Sequence, residues 1–287
     1  MQSKPKTISG YERNQVDLVL MTCRYISTIL GDFMEEIVII GGLVPSLIID
    51  QSNLPEGVDP HAGTIDLDIG LSLAIYDDQL YQNITKRLRG AGFSPDTNEK
   101  GNPTSQRWQI KNAAGTVTID FLIPATQEDK GKAKRIKNLE QDFAALPTDG
   151  LMLAFTDYVE VTLNGPTIMG EIVENRRIRV CGPGAYVVLK AIAFANRGEN
   201  KDAYDLFYMI RNYGAGPHEV AARFLSLGSD EDCERALTVL KENFLKNEAV
   251  GVKRAVRFIL GEEAEDEDLQ AEVVGFVSRF IDNVHRG

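Results

Sequence analysis

Three aspartates lie inside two short segments of the chain that are otherwise apolar and β-branched. Asp66 and Asp68 fall within residues 64–73, and Asp120 falls in the middle of residues 117–123. Side chains two residues apart on a strand share a face, so Asp66 and Asp68 point the same way. Burying an unpaired carboxylate costs on the order of several kcal/mol, so each acid must face solvent or complete a charged site. If the two strands are neighbours, the three carboxylates converge.

Converging carboxylates on a largely buried strand favour a bound cation. Like charges so close together oppose each other unless a cation or basic groups neutralise them. Mg²⁺, or Mn²⁺ in its place, prefers oxygen ligands and binds through carboxylates together with substrate phosphates. Such a triad can hold one or two metals and activate a hydroxyl for attack on an α-phosphate. The alternative is that these aspartates merely end a strand and cap a sheet edge.

The surrounding pattern mixes helices and strands up to a Gly-Pro-Gly turn at residues 182–184 and is helical beyond it. The predicted helices before that turn are residues 15–30, 43–49 and 77–89. The predicted strands are residues 37–40, 64–73, 108–111, 117–123, 159–163 and 177–180. The pair Gly41-Gly42 is a turn after the first strand, and proline and glycine make residues 50–63 a loop. We therefore expect an α+β chain with a core over residues 1–175 and a helical C-terminal domain over residues 176–287.

Composition and charge argue against several classes of protein. With 43% hydrophobic residues the chain can bury an ordinary core, and its net charge of -11 disfavours sequence-independent wrapping of nucleic acid. Cys23, Cys181 and Cys233 share no close spacing, so neither a disulfide framework nor a zinc site is indicated. No apolar run approaches the roughly 20 residues that cross a bilayer, and the first residues do not resemble a signal peptide. We expect a cytoplasmic protein without membrane contact.

A compact basic stretch contrasts with the acidic whole. It consists of Lys130, Lys132, Lys134, Arg135 and Lys137. One interpretation is a contact site for tRNA or another polyanion, since phosphate contacts dominate such binding. The other interpretation is a solvated loop leading into a regular element.

The order of the glycine turn and the acids resembles the DNA polymerase beta nucleotidyltransferase superfamily, and within it the AbiEii toxin-like branch. The superfamily likeness rests on Gly41-Gly42 with its following helix, on Asp66-Leu67-Asp68 and on Asp120. The narrower likeness rests on Leu-Lys-Ala-Ile-Ala-Phe-Ala at residues 189–195 and Lys-Asp-Ala-Tyr-Asp-Leu-Phe at residues 201–207. The resemblance implies a polymerase-beta-like core, a mixed sheet flanked by helices, followed by a mostly helical C-terminal domain.

The resemblance also implies roles for individual residues. Asp66 and Asp68 would bind the metal, and Asp120 would be the third acid or the base that activates the acceptor. The residues implied for binding the nucleotide are Gly41, Gly42, Ser46, Arg107, Lys190, Lys201, Asp202 and Asp205. Exposed backbone N–H groups at a glycine turn suit phosphate independently of the resemblance. A structural ion pair also explains the spacing of four between Lys201 and Asp205.

Two departures from the family concern the segment before Asp66. The loop at residues 50–63 is longer than the family usually shows. The basic residue that the family often has just before the Asp-x-Asp pair is either replaced here by His61 or absent. We interpret His61, in a proline-rich loop, as a solvent-exposed residue rather than a ligand.

The resulting expectation is a metal-dependent enzyme that moves a nucleoside monophosphate from an NTP to a macromolecular acceptor, tRNA or protein. By resemblance it would be the toxin of a toxin-antitoxin or phage-defence system, with a cognate antitoxin protein as a further partner. One alternative is nucleotidylation of a small hydroxylated molecule of the antibiotic type. The other is a catalytically silent protein that binds nucleotide or a partner, because a fold does not guarantee chemistry.

Overall fold

The computed structural model describes residues 4–72, 78–97, 100–126, 128–129, 137–140 and 143–287. It confirms the α+β class, since a mixed sheet with flanking helices is followed by helices alone from Pro183 onward. In the described residues the strands are β1 (Ile37–Ile40), β2 (Asp66–Leu71), β3 (Ser94–Thr97), β4 (Pro103–Asn112), β5 (Gly115–Pro124), β6 (Lys137–Glu140), β7 (Phe143–Thr148), β8 (Tyr158–Pro166) and β9 (Ile172–Cys181). The helices are α1 (Arg13–Leu30), α2 (Val44–Ile48), α3 (Asp78–Gly90), α4 (Leu153–Thr156), α5 (Pro183–Arg197), α6 (Asn200–Asn212), α7 (Pro217–Leu225), α8 (Glu231–Phe244), α9 (Val250–Leu260) and α10 (Glu267–Arg286).

The sheet has the strand order β3-β4-β5-β2-β1-β9-β8, with β7 beside the end of β5 and β6 paired to β7. Strands β2 and β5 are parallel, as are β1 and β9, whereas β1 with β2 and β4 with β5 are antiparallel. The strands predicted at residues 108–111 and 117–123 lie in β4 and β5, which form a hairpin; the first helix is confirmed, and residues 50–63 form a loop as expected. Strands β3, β6 and β7 were not predicted from the sequence.

The alternation of side chains along β2 and β5 gives the strand pair two different faces. Leu67 and Ile69 of β2 and Ile119 and Phe121 of β5 are fully buried. Leu67 is paired with Ile119 in the parallel register, so these apolar side chains lie side by side on one face. Asp66, Asp68 and Asp120 alternate with these residues along the strands and therefore lie on the opposite face.

The predicted boundary at residues 175/176 falls inside β9, which continues to Cys181 and is bonded to both β1 and β8. The last strand therefore belongs to the sheet, and the change from sheet to helices comes at Gly182. Beyond it, α6 packs against α5 and α9, and α10 packs against α7. In the part of the chain that the structure describes, no helix has the length and apolar content needed to cross a membrane.

The buried carboxylate of Asp157 links the sheet to these helices. It accepts the backbone N–H of Ala185 at 2.9 Å, in the first turn of α5, and the Nε–H of Arg223 from α7 at 2.6 Å. A side chain at Gly182 would have its Cβ 2.3 Å from Asp157 Oδ1, so glycine is needed for this close approach. An anion at a helix N-terminus is also favoured by the helix dipole.

We predict that Asp157→Ala lowers the free energy of unfolding by about 3 kcal/mol, because it leaves a cationic partner and a helix N-terminus without their acceptor. Urea unfolding measures this. The double variant Asp157→Ala/Arg223→Ala should lose less than the sum of the two single variants. Additive losses would contradict the proposed link.

Candidate metal centre

Strands β2 and β5 bring the three predicted acids together. Asp68 pairs with Asp120 in the parallel register, and Asp66 lies two residues before Asp68 on the same face. One carboxylate oxygen from each of the three lies within 4.8 Å of the other two. Asp66 and Asp120 are buried, whereas Asp68 is half-buried. The convergence expected from the sequence is therefore present.

The Gly41-Gly42 turn lies directly over these acids. Ile40 pairs with Asp68, so the chain leaving β1 passes across that carboxylate. Gly41 has φ of +72°, and a Cβ there would lie 1.9 Å from Asp68 Oδ2. A Cβ at Gly42 would lie 2.9 Å from Thr64 Oγ1 and 3.3 Å from Lys201 Nζ. Gly41 is thus required by space and by its backbone conformation, whereas Gly42 is required by space alone.

Two of the three acids have a cationic partner. Lys4 Nζ lies 2.5 Å from Asp66 Oδ2, and the Thr64 hydroxyl donates to Asp66 Oδ1 at 2.8 Å. Burial alone raises the pKa of Asp66, but the Lys4 ammonium and the Thr64 hydroxyl outweigh it and hold that pKa below its ordinary value. Arg107 donates to both oxygens of Asp120, through Nε at 2.7 Å and Nη2 at 2.5 Å. These hydrogen bonds raise the pKa of Arg107.

Asp68 has no cationic partner at ion-pair distance among the described residues. Desolvation and the neighbouring charge of Asp66 raise the pKa of the Asp68 carboxyl to about 7. A divalent cation would relieve this repulsion, and the donor set is made of carboxylate oxygens alone, as Mg²⁺ and Mn²⁺ prefer. The three residues therefore fit a hard divalent metal.

A second charged cluster lies on α5 and α6. Lys190 Nζ is 3.1 Å from Asp202 Oδ1 and 2.6 Å from Asp205 Oδ2, and Lys201 Nζ is 2.7 Å from Asp205 Oδ1. Arg197 donates from Nε to Asp202 Oδ2 at 2.6 Å. The lysines, although buried themselves, outweigh the effect of burial on Asp205 and lower its pKa well below the usual value. In this structure the two lysines predicted to bind nucleotide are thus neutralised by Asp202 and Asp205.

The prediction that His61 is solvent-exposed is wrong. Its side chain is completely buried, with the ring stacked on Tyr204 at 5.4 Å between centroids and edge-on to Tyr208 at 4.9 Å. The Gly63 N–H donates to Nδ1, so Nε2 carries the proton and donates to Asp205 Oδ1 at 2.9 Å. Burial lowers the pKa of His61 to about 4. The end of the loop at residues 50–63 is therefore fixed onto α6. The proline-rich composition of the loop suggested that His61 is exposed, because composition carries no information about such tertiary contacts.

The remaining predicted residues have the following surroundings. Ser46, on the five-residue helix α2, has its Oγ 3.1 Å from His61 Nδ1. Arg107 is engaged by Asp120 as described above. The basic stretch from Lys130 to Arg135 lies outside the described residues, and Lys137 begins β6.

Sequence reasoning missed Lys4, Thr64 and Arg197. Arg197 follows Lys190 by two helical turns and so lies on the same face of α5, a spacing that the sequence does offer. Lys4 carries no comparable signal, because it is remote in the chain from Asp66 and lies in no recognisable motif.

Comparison with known proteins adds little to this geometry. No protein-family model matches the chain. No curated protein matches it either. A solved structure, that of JHP933 from Helicobacter pylori, aligns over 96% of this chain and 95% of its own, with a TM-score of 0.44 and 13% sequence identity. A likeness at this level carries no argument about function, so function must be argued from the site.

We predict that Gly41→Ala weakens Mn²⁺ binding at least about tenfold, because the new Cβ forces the Asp68 carboxylate out of its position. Electron paramagnetic resonance of free Mn²⁺ measures the affinity. Gly57→Ala is the matched control, since Gly57 has a similar φ of +77° but open space around it. Equal affinities for the two variants would contradict the assigned role of Gly41.

A second prediction concerns the pH dependence of stability. With its pKa lowered to about 4, His61 stays neutral in the folded chain while the unfolded chain takes up a proton below about pH 6.5. The stability that His61 contributes is therefore present above pH 6.5 and lost as the pH falls towards 4, at up to about 1.4 kcal/mol per pH unit. Urea unfolding at several pH values should give a steeper fall for the wild type than for His61→Gln. Parallel curves would contradict a buried neutral histidine.

Proposed function

We propose that this protein is a metal-dependent nucleotidyltransferase that moves a nucleoside monophosphate from an NTP to a macromolecular acceptor. The observation that carries the proposal is the convergence of Asp66, Asp68 and Asp120 from two parallel strands beneath a glycine turn. Carboxylates gathered in this way are the ligand set through which Mg²⁺ binds together with substrate phosphates. The site also has a half-buried member, Asp68, through which it reaches solvent.

The acids and their partners have separate tasks in this proposal. Asp66, Asp68 and Asp120 hold the divalent cation, which when bound neutralises phosphate charge and favours the ionised acceptor hydroxyl. Arg107 fixes the orientation of the Asp120 carboxylate through two hydrogen bonds. The acceptor oxygen forms a bond to the α-phosphorus as the bond to pyrophosphate breaks, and the acceptor proton passes to a nearby base. The resemblance to the polymerase beta superfamily makes Asp120 the candidate for that base.

The triphosphate would lie between the glycine turn and the lysine cluster. The ammonium of Lys201 lies close to Gly42, so the cluster on α6 adjoins the turn that covers the acids. Lys190 and Lys201 are held in place through Asp205, which fixes both ammonium groups on one side of the site. Together with Arg197 the lysines place three cations against the two carboxylates of Asp202 and Asp205, and this fixed excess of positive charge can stabilise the leaving pyrophosphate without reorganising.

The acceptor that we propose first is tRNA, and the second choice is protein. The protein would act as a cytoplasmic toxin, and its cognate antitoxin would mask the site. Support for this part comes from the motif resemblance rather than from the geometry. The polyanionic acceptor also accounts for the basic stretch in an otherwise acidic chain.

The test is label transfer from each of the four α-labelled NTPs with Mg²⁺, offering total tRNA and total protein separately. We expect labelled acceptor and released pyrophosphate with the wild type, and a loss on the order of 100-fold or more with Asp66→Asn, Asp68→Asn or Asp120→Asn. Asp157→Asn is the matched control, since Asp157 is another buried, ion-paired aspartate, and its partners are Ala185 and Arg223 rather than residues of the metal centre. It should retain transfer.

The outcomes separate the competing functions. Label on a small hydroxylated acceptor alone would replace the macromolecular acceptor with the small-molecule alternative. NTP binding without turnover on any acceptor would instead indicate a silent nucleotide-binding protein. Transfer that survives all three Asp→Asn changes would contradict the assigned site altogether.

A further inference from the structure

The segment before α1 reaches the candidate metal centre through Lys4. This N-terminal strap, residues 4–12, contains the turn Ile8–Gly10 and is anchored by Tyr11, which is buried with its ring 5.7 Å from that of Phe258 in α9. The backbone carbonyl of Lys6 accepts a hydrogen bond from Asn200 Nδ2 at 3.4 Å. The strap is thus attached to α6 and α9 on one side of the site.

Beyond these anchors the strap places Lys4 on the metal centre. Its Nζ lies 2.5 Å from Asp66 Oδ2, a carboxylate that is 4% exposed, while the Lys4 side chain itself is 41% exposed. Among the described residues, Lys4 is the one cation at ion-pair distance from Asp66. Thr64 supplies the other contact, a neutral hydrogen bond to the second oxygen of Asp66.

The two cations of the centre are held in different ways. Arg107 belongs to β4 and is paired with Asp120 across the β4–β5 ladder, so its backbone is fixed by the sheet. Lys4 lies at the far end of the strap, outside any helix or strand, and is tied to the site by its ammonium. Releasing Lys4 breaks one partly exposed ion pair, whereas moving Arg107 breaks a bidentate pair and disturbs a sheet.

From this difference we infer that Lys4 is an exchangeable counter-ion: its ammonium occupies the cation position at Asp66 and leaves when a divalent metal binds there. The inference rests on the proposed function, since it assumes that Asp66 is a metal ligand. Mg²⁺ takes carboxylate oxygens at about 2.0–2.1 Å, so an ammonium on the same oxygen would lie against it and be repelled. Loading the metal therefore frees Lys4, and with it the end of the strap, from the metal centre.

The first experiment compares Mn²⁺ affinity in full-length variants by calorimetry and electron paramagnetic resonance. Lys4→Gln removes the competing charge and should bind Mn²⁺ about tenfold more tightly than the wild type, which corresponds to about 1.4 kcal/mol. Lys4→Arg, which keeps the charge, should bind as the wild type does. Lys6→Gln is the matched control from the same strap, because Lys6 is 71% exposed and its nearest carboxylate, Glu262, is 3.9 Å away.

The second experiment needs no variant. Amine-reactive labelling of the wild type, followed by peptide mass spectrometry, should show Lys4 becoming several-fold more reactive when saturating Mg²⁺ is added. Lys6 should not change. If Lys4 keeps the same reactivity with and without metal, the exchange does not occur.

The results distinguish failure of the inference from failure of the proposed function. Mn²⁺ binding of equal strength in the wild type and Lys4→Gln would overturn the exchange and leave the metal centre intact. Weaker binding in Lys4→Gln would also overturn it, because Lys4 would then support the metal. No Mn²⁺ binding in either protein would remove the metal centre, and with it both proposals.

Discussion

The parallel pairing of β2 with β5 is the constraint on which the rest of the site depends. By setting Asp68 beside Asp120, this register brings three like charges within 4.8 Å of one another on a strand pair whose other face is apolar. Such an arrangement is unfavourable unless the charges are compensated. Lys4 and Arg107 compensate two of them, and the third, Asp68, is left with its pKa raised to about 7. The remaining repulsion is what suits the centre to a divalent cation.

In the charged cluster on α5 and α6, the buried charges are compensated by one another rather than by a metal. Buried lysines and aspartates on α5 and α6 neutralise one another, and a neutral histidine completes the hydrogen bonds of Asp205. Breaking a buried pair by removing one partner leaves an uncompensated charge, so these residues depend on each other more than their separate contacts suggest. The two clusters meet at the glycine turn, where Gly41 lies against Asp68 and Gly42 lies near Lys201.

Much of this could be predicted from the sequence, for identifiable reasons. The period of two in β2 and β5 and the length of α1 are local properties, so strands, helix and the shared face of Asp66 and Asp68 were predictable. The sequence left open whether β2 and β5 are neighbours, and in the structure they pair directly. The position of Lys4 and the burial of His61 depend on contacts between residues far apart in the chain, which no local pattern encodes. The expected boundary at residue 175 falls within β9, because β9 is polar on one side and its pairing with β1 is not visible in its own residues.

The convergence of three donors on Asp205 has a consequence for anyone who would redesign this protein. Lys190 comes from one helix, Lys201 from the next, and His61 from the long loop, yet all three share one carboxylate. The loop is therefore a structural part of the helical wall and not an independent appendage. A shortened or grafted loop that lacks the histidine would leave a buried acceptor short of a donor, so loop and helix α6 must be exchanged together as one unit.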